Sequence, residues 1–169
     1  MSDSDNLASH YTQSVLREII AEHLFVGRLL QRLWQRGVTD AEVLRSEFDA
    51  GGYDLVLSRG EVVRHIQLKT VLANGNRNGF SVSLKLAARP SGCVVVLVLG
   101  DQLDLDHALW FGDEPGQPLP DLTGYRITKH TKGNSKGKKT ERPGQRVVPR
   151  KNFSKINGLD DLILRLLAV

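Results

Sequence analysis

The sequence predicts an α/β fold with a mixed central β-sheet flanked by helices. Three observations point there. An apolar pattern of helical period opens the chain. Two strand-like runs separated by a turn follow it. The run Cys93-Val-Val-Val-Leu-Val-Leu99 is apolar and largely β-branched, as suits a strand buried on both faces. A hairpin together with a buried central strand implies a sheet covered by helices. At 169 residues the chain fits one domain, 1–169.

Residues 7–36 read as one helix, broken by Gly37. At about 100° per residue, Val15, Ile19, Val26, Leu29 and Leu33 fall in one stripe, the predicted buried face. Glu22 falls in the middle of that stripe, and Glu18 lies on its edge one turn earlier. The segments Tyr53-Asp-Leu-Val-Leu57 and Val62-Val-Arg-His-Ile-Gln-Leu-Lys69 are strand-like, and Ser58-Arg-Gly-Glu61 is the turn between them. Asn74-Gly-Asn-Arg-Asn-Gly79 reads as a loop. Residues 81–89 suit a short helix stopped by Pro90, although Phe80-Ser-Val-Ser-Leu84 also alternates like a strand. His107-Ala-Leu-Trp-Phe111 reads as a further strand, and residues 115–120 as an irregular connection. Asn157 is placed to cap a last helix at about 158–168, where Leu159, Leu162, Ile163, Leu166 and Leu167 keep helical spacing.

Composition is ordinary for a globular protein, 40% apolar and 25% charged. Cys93 is the single cysteine, so neither an intramolecular disulfide nor a cysteine-based zinc site can form within the chain. The first ten residues are polar and acidic and read as no signal peptide. The longest apolar run, seven residues, is too short to cross a bilayer as a helix. No membrane partner and a cytoplasmic location are expected.

The net charge of +4 conceals an asymmetry. Residues 126–151 carry ten Lys or Arg against one Glu, or +9, and the remainder carries 13 basic and 18 acidic residues, or −5. Such a distribution suits a polyanionic partner. The stretch, rich in Gly, Ser and Lys, reads as a flexible basic loop. Lys129, Lys132, Lys136, Lys138, Lys139 and Arg142 are its candidate nucleic-acid contacts. It has no zinc-finger, helix-turn-helix or P-loop pattern.

The candidate chemistry lies in the hairpin. Gln67 and Lys69 are two apart on a strand and share a face with His65, while Ile66 and Leu68 point the other way. Hairpin pairing brings Asp54 alongside. Glu22 joins them if the first helix packs on that same sheet face. Mg²⁺ takes oxygen ligands, commonly one or two carboxylates and several waters. It polarises a phosphate and helps to generate hydroxide, and a nearby ammonium stabilises charge growing in the transition state. Asp54 and Glu22 supply carboxylates, Lys69 the ammonium and Gln67 an uncharged amide oxygen. The structural alternatives are an Asp54–Lys69 ion pair, a Glu22 paired with a basic residue and a Gln67 that satisfies backbone groups.

Glu22, Gly52-Tyr-Asp-Leu-Val-Leu57 and His65-Ile-Gln-Leu-Lys-Thr70 together resemble the PD-(D/E)XK nuclease superfamily. The resemblance covers roughly residues 7–111. It implies a restriction-endonuclease-like core: a helix, a three-strand meander, a second helix and a further strand. It also implies a catalytic set of Glu22, Asp54, Gln67 and Lys69, with metal held by Glu22, Asp54 and the Leu68 carbonyl, and Lys69 acting on the attacking water. The chain departs from the pattern twice. No proline precedes Asp54, and Gln67 stands where an acid is usual, as it does in some active branches of the superfamily. The expected function is hydrolysis of phosphodiester bonds, of DNA rather than RNA, with Mg²⁺ and with Mn²⁺ as a substitute. A homodimer would present two sites to a duplex. The alternatives are a catalytically inactive nucleic-acid-binding relative, or a non-enzymatic interaction protein of a mobile-element or defence system.

Overall fold

The structure is a computed structural model that describes residues 13–48, 50–130 and 139–169. In chain order the elements are α1 (Ser14–Gln35), β1 (Ala41–Arg45), β2 (Leu55–Arg59), β3 (Val62–Leu72), β4 (Gly79–Ser83), α2 (Leu84–Ala87), β5 (Gly92–Leu99), β6 (Leu105–Gly112), β7 (Ile127–Lys129), β8 (Glu141–Pro149), a 3₁₀ turn (Arg150–Asn152), β9 (Ser154–Ile156) and α3 (Leu159–Leu167). Six strands form a mixed sheet in the order β1-β2-β3-β5-β6-β9, and β4-β8-β7 form a second sheet. The pairing β3–β5 is parallel, and the other pairings of the large sheet are antiparallel. The protein is thus α/β with a mixed sheet, as its sequence predicts. No helix among the described residues is long and apolar enough to cross a membrane.

β5 explains the layering. Cys93, Val95, Leu97 and Leu99 point into a core closed by α1 and α3. Val94, Val96 and Val98 point into a second core closed by Phe80, Val82, Leu86, Val148 and Phe153. Both faces are covered, so the strand has no reason to alternate. The hairpin β2–β3 pairs Leu55 with Ile66 and Arg59 with Val62, and Gly60 takes the turn with φ 54°.

Several expectations need correction. The buried side of α1 runs through Ala21, Phe25, Val26, Leu29 and Leu33, whereas Val15 and Ile19 are 68% and 50% exposed. The buried arc is therefore rotated toward Phe25, and residues 14–20 extend past the packed part of the sheet. Glu22 still falls inside that arc, between Leu29 and Leu33 in helical projection, and is half-buried. β1 has no counterpart among the strand-like runs read from the residues; it is a short edge strand bearing Glu42 and Arg45 that makes a three-strand meander with β2 and β3. Residues 80–89 contain both alternatives, strand first and then helix. The stretch 126–151 is not simply a loop, because β7 and β8 lie in it and β8 pairs with β4. Lys132, Lys136 and Lys138 lie outside the described residues. The N-cap of α3 is Gly158, at φ 100°, and not Asn157.

α3 is tied to the sheet by an unusual group. Arg64 on β3 is fully buried. Its Nε donates to Leu166 O (3.0 Å) and its Nη2 to Arg165 O (2.6 Å) and Asp113 O (2.7 Å), while Nη1 lies 3.4 Å from Glu114 O. Its Cζ stands 5.2 Å from the Trp110 ring centroid. Burial pushes its pKa down, and the neighbouring anionic groups push it back. The guanidinium thus serves the carbonyl-rich end of α3, where a positive charge is favoured.

Candidate active site

β3 is longer than its neighbour β2. Their paired register runs from Leu55–Ile66 to Arg59–Val62, and β3 continues to Leu72. Past Ile66, therefore, one edge of β3 loses its strand partner and opens into a cleft of about 380 Å³. Glu18, Ile19 and Glu22 of α1 line it, with Asp54, with Leu68, Lys69 and Thr70 of β3, and with Arg77, Phe80 and Ser81.

Asp54 occupies the position where the ladder ends. Its N–H donates to Ile66 O (2.9 Å), and its Oδ2 accepts from the Leu68 N–H at 2.7 Å. The carboxylate is thereby pinned over the open edge. In a strand the N–H and C=O of one residue point to the same side, so the Leu68 carbonyl opens on this edge too. The preceding Gly52 makes the approach possible. Its φ is 77°, and a Cβ there would lie 2.6 Å from Ser83 Oγ. Any side chain would push Asp54 away from the corner between β4 and α2.

Glu22 reaches the cleft by a different route from the one expected. α1 packs on the sheet face that carries Leu55, Leu57 and Ile66, opposite to the side on which Gln67 and Lys69 lie. Glu22 meets Asp54 and Lys69 around the open edge of β3. Its Oε1 is 3.0 Å from Arg45 Nε, and Arg45 also contacts His23 Nε2 at 3.1 Å. Glu22 is thus paired with a basic residue, as in its structural alternative, and the pairing holds the carboxylate in place. Lys69 has no carboxylate within 4.0 Å among the described residues, so the structural ion pair with Asp54 is absent.

Gln67 does not line the cleft. It is 5% exposed, and its Oε1 is buried without a hydrogen-bond partner among the described residues. Thr70, which does line the cleft, has a buried Oγ1 in the same condition. His65 is turned to structure: its Nδ1 lies 2.8 Å from Pro90 O, and its ring packs edge-on against Tyr53.

Arg77 and Ser81 are cleft residues that the sequence pattern does not single out. Arg77 sits in the Gly/Asn-rich loop after β3, with its guanidinium 5.8 Å from the Phe80 ring centroid. Its signal is faint: one cation in a loop that leaves the motif strand. Ser81 joins the cleft to the second sheet, for its Oγ contacts Gln145 Oε1 (2.7 Å) and Thr128 Oγ1 (3.1 Å). Beyond it lies a groove lined by Ser83, Leu84, Lys85, Arg142, Gly144 and Gln145. Lys129, Lys139 and Arg142 are exposed on that side of the chain.

Among the described residues, no three His, Cys, Asp or Glu side chains stand close enough to hold a metal by themselves. The oxygen donors that do share the cleft include the carboxylates of Glu18, Glu22 and Asp54, with the Leu68 carbonyl at its edge. All are hard ligands. One or two carboxylates completed by waters is a donor set that Mg²⁺ accepts, whereas zinc or a soft metal would look for imidazole or thiolate. Neither the scan against protein-family models nor the search of curated proteins finds a match for this chain.

Proposed function

We propose that this chain is a metal-dependent nuclease of the PD-(D/E)XK type, with a restriction-endonuclease-like core, that hydrolyses phosphodiester bonds in DNA. One observation carries the reading: Glu22, Asp54, Leu68 and Lys69, from three parts of the chain, line a single cleft at the open edge of β3. Glu22, Asp54 and the Leu68 carbonyl would hold Mg²⁺, or Mn²⁺ in its place. When bound, the ion polarises the phosphate and lowers the pKa of a water. Lys69, which no carboxylate among the described residues neutralises, stabilises charge that grows on the phosphate oxygens or holds the attacking water. Arg45 keeps Glu22 oriented. Arg77 gives the cleft a second cation for the scissile phosphate. The basic side of the second sheet supplies phosphate contacts that do not depend on sequence.

Gln67 favours a second reading. With an amide where a carboxylate is usual, a relative that binds nucleic acid without cutting it would have the same cleft. The deciding experiment incubates the purified chain with Mg²⁺ or Mn²⁺ and with duplex, single-stranded and branched DNA and with RNA. We expect cleavage of DNA. We expect it to be lost in Asp54→Asn, together with metal binding by calorimetry, and lost in Lys69→Ala with metal binding retained. Binding without cleavage by the wild type, with no ion detected, would select the non-catalytic reading.

A further inference from the structure

The outer side of α1 does not resemble a solvent-facing helix. Over an arc of about 140°, set by the helical repeat of about 100° per residue, it has no Lys, Arg, Asp or Glu. It presents Leu16, Ile20, Leu24, Leu30 and Trp34, all exposed, with Trp34 at 72%. An ordinary surface helix is polar on that side. The exposed area of these five residues amounts to on the order of 500 Å², within the range of the largest patch on a typical monomer. Such a surface has no attraction for a polyanion. It is distinct from the catalytic cleft, which α1 meets through Glu18, Ile19 and Glu22.

Gly27 is the second observation. It lies inside the helix and in the middle of the apolar arc. A Cβ there would meet nothing within 4 Å. Glycine in a helix interior costs about 0.5–1 kcal/mol relative to alanine, and the packing of this chain gives no reason for it. A closely approaching backbone would. With Gly27 at the crossing point of two antiparallel copies of α1, Ile20 of one faces Trp34 of the other, Leu24 faces Leu30 and His23 faces Gln31. Each pair is chemically matched, and no like charges meet. A two-fold contact requires this self-complementarity.

We propose that the outer face of α1 is the interface of a symmetric homodimer, with its two-fold axis beside Gly27. Two such patches bring on the order of 1,000 Å² together, about what a specific interface needs. The chain's own undescribed stretches are poor candidates for the same position. Residues 1–12 are polar and acidic, with Met1, Leu7 and Tyr11 as their large apolar side chains, and residues 131–138 have none. The proposal does not depend on the nuclease reading.

Sedimentation equilibrium of the full chain, up to about 100 μM to include the weak end of stable association, tests it. We expect a monomer–dimer equilibrium. Gly27→Arg, which meets open space in the monomer, should give monomer with a thermal midpoint no lower than that of the wild type diluted until it is monomeric. Trp34→Ala should weaken association by roughly 30-fold, as for a buried aromatic anchor, and it removes only a side chain exposed in the monomer. A short bis-maleimide should link two Gly27→Cys chains to each other, because Cys93 is fully buried and burial pushes its thiol up to about 12. A monomeric wild type would overturn the proposal. So would a dimer that neither Gly27→Arg nor Trp34→Ala weakens, or one that Gly27→Cys fails to link.

Discussion

The two halves of β3 carry one cation each, five residues apart, with opposite fates. Arg64 lies where β3 is still paired with β2, on the face that α3 covers. It is 0% exposed, its guanidinium is occupied by backbone carbonyls and it stands over Trp110. Lys69 lies where β2 has ended. It lines a cleft and has no carboxylate within 4.0 Å among the described residues. The first charge is consumed in holding α3 to the sheet. The second remains available to a ligand. A cation on a strand is thus structural or functional according to what its edge of the sheet provides, and strand position alone does not decide it.

The largest expected effect lies on the structural side. Arg64→Ala leaves several buried carbonyls without donors and opens a cavity under Trp110. It should lower unfolding stability by about 3–5 kcal/mol, the range for breaking a buried charged network. Urea unfolding checks it, and a drop below about 1 kcal/mol would erase the contrast. Lys69→Ala should do the reverse. It should leave the urea midpoint almost unchanged and reduce cleavage by about 10²–10³-fold, the usual cost of one electrostatic donor to a transition state.

A third kind of cation sharpens the comparison further. Lys129, Lys139 and Arg142 are exposed on the second sheet and its flank. Replacing all three with Gln should not change stability. It should flatten the dependence of log affinity on log salt by about 0.9 for each duplex phosphate that these side chains neutralise. An unchanged slope would mark them as merely solvated. The smallest effect is expected at Gln67. Its Oε1 has no hydrogen-bond partner among the described residues. Gln67→Leu should therefore shift stability by no more than about 1 kcal/mol and should preserve cleavage. A reduction as deep as that in Lys69→Ala would place the amide among the reacting groups.

Much of this arrangement is legible where local pattern and tertiary demand agree. The β2–β3 hairpin, β5, β6 and α3 follow from alternation, from an unbroken apolar run and from helical spacing. Glu22, Asp54, Leu68 and Lys69 are legible as a set because the hairpin fixes three of them relative to one another. The rotation of α1 is not legible. Both of its sides are apolar, and a periodicity calculation cannot tell the side that meets the sheet from the one that does not. The depth of Gln67 is hidden for a related reason. Alternation assigns a face but does not say how far along the strand the cover ends. β7 and β8 are hidden because their residues are basic and polar, and the pairing of β8 with β4 comes from across the molecule. β1 is hidden because it is five residues long, with charged residues among them.

The clasp between Arg64 and the end of α3 also bears on how the chain reaches its fold. The guanidinium and the carbonyls of Arg165 and Leu166 are separated by 101 and 102 residues in sequence. During synthesis β3 is made long before those acceptors exist. At roughly 5–20 residues per second, the strand waits several seconds with a charge that nothing yet satisfies. Until then the charge opposes burial of the central strand, and with it the premature collapse of a half-made, edge-exposed sheet. Arrival of the helix removes the objection. The group that clasps α3 to the sheet is thus also one whose burial waits for the rest of the chain.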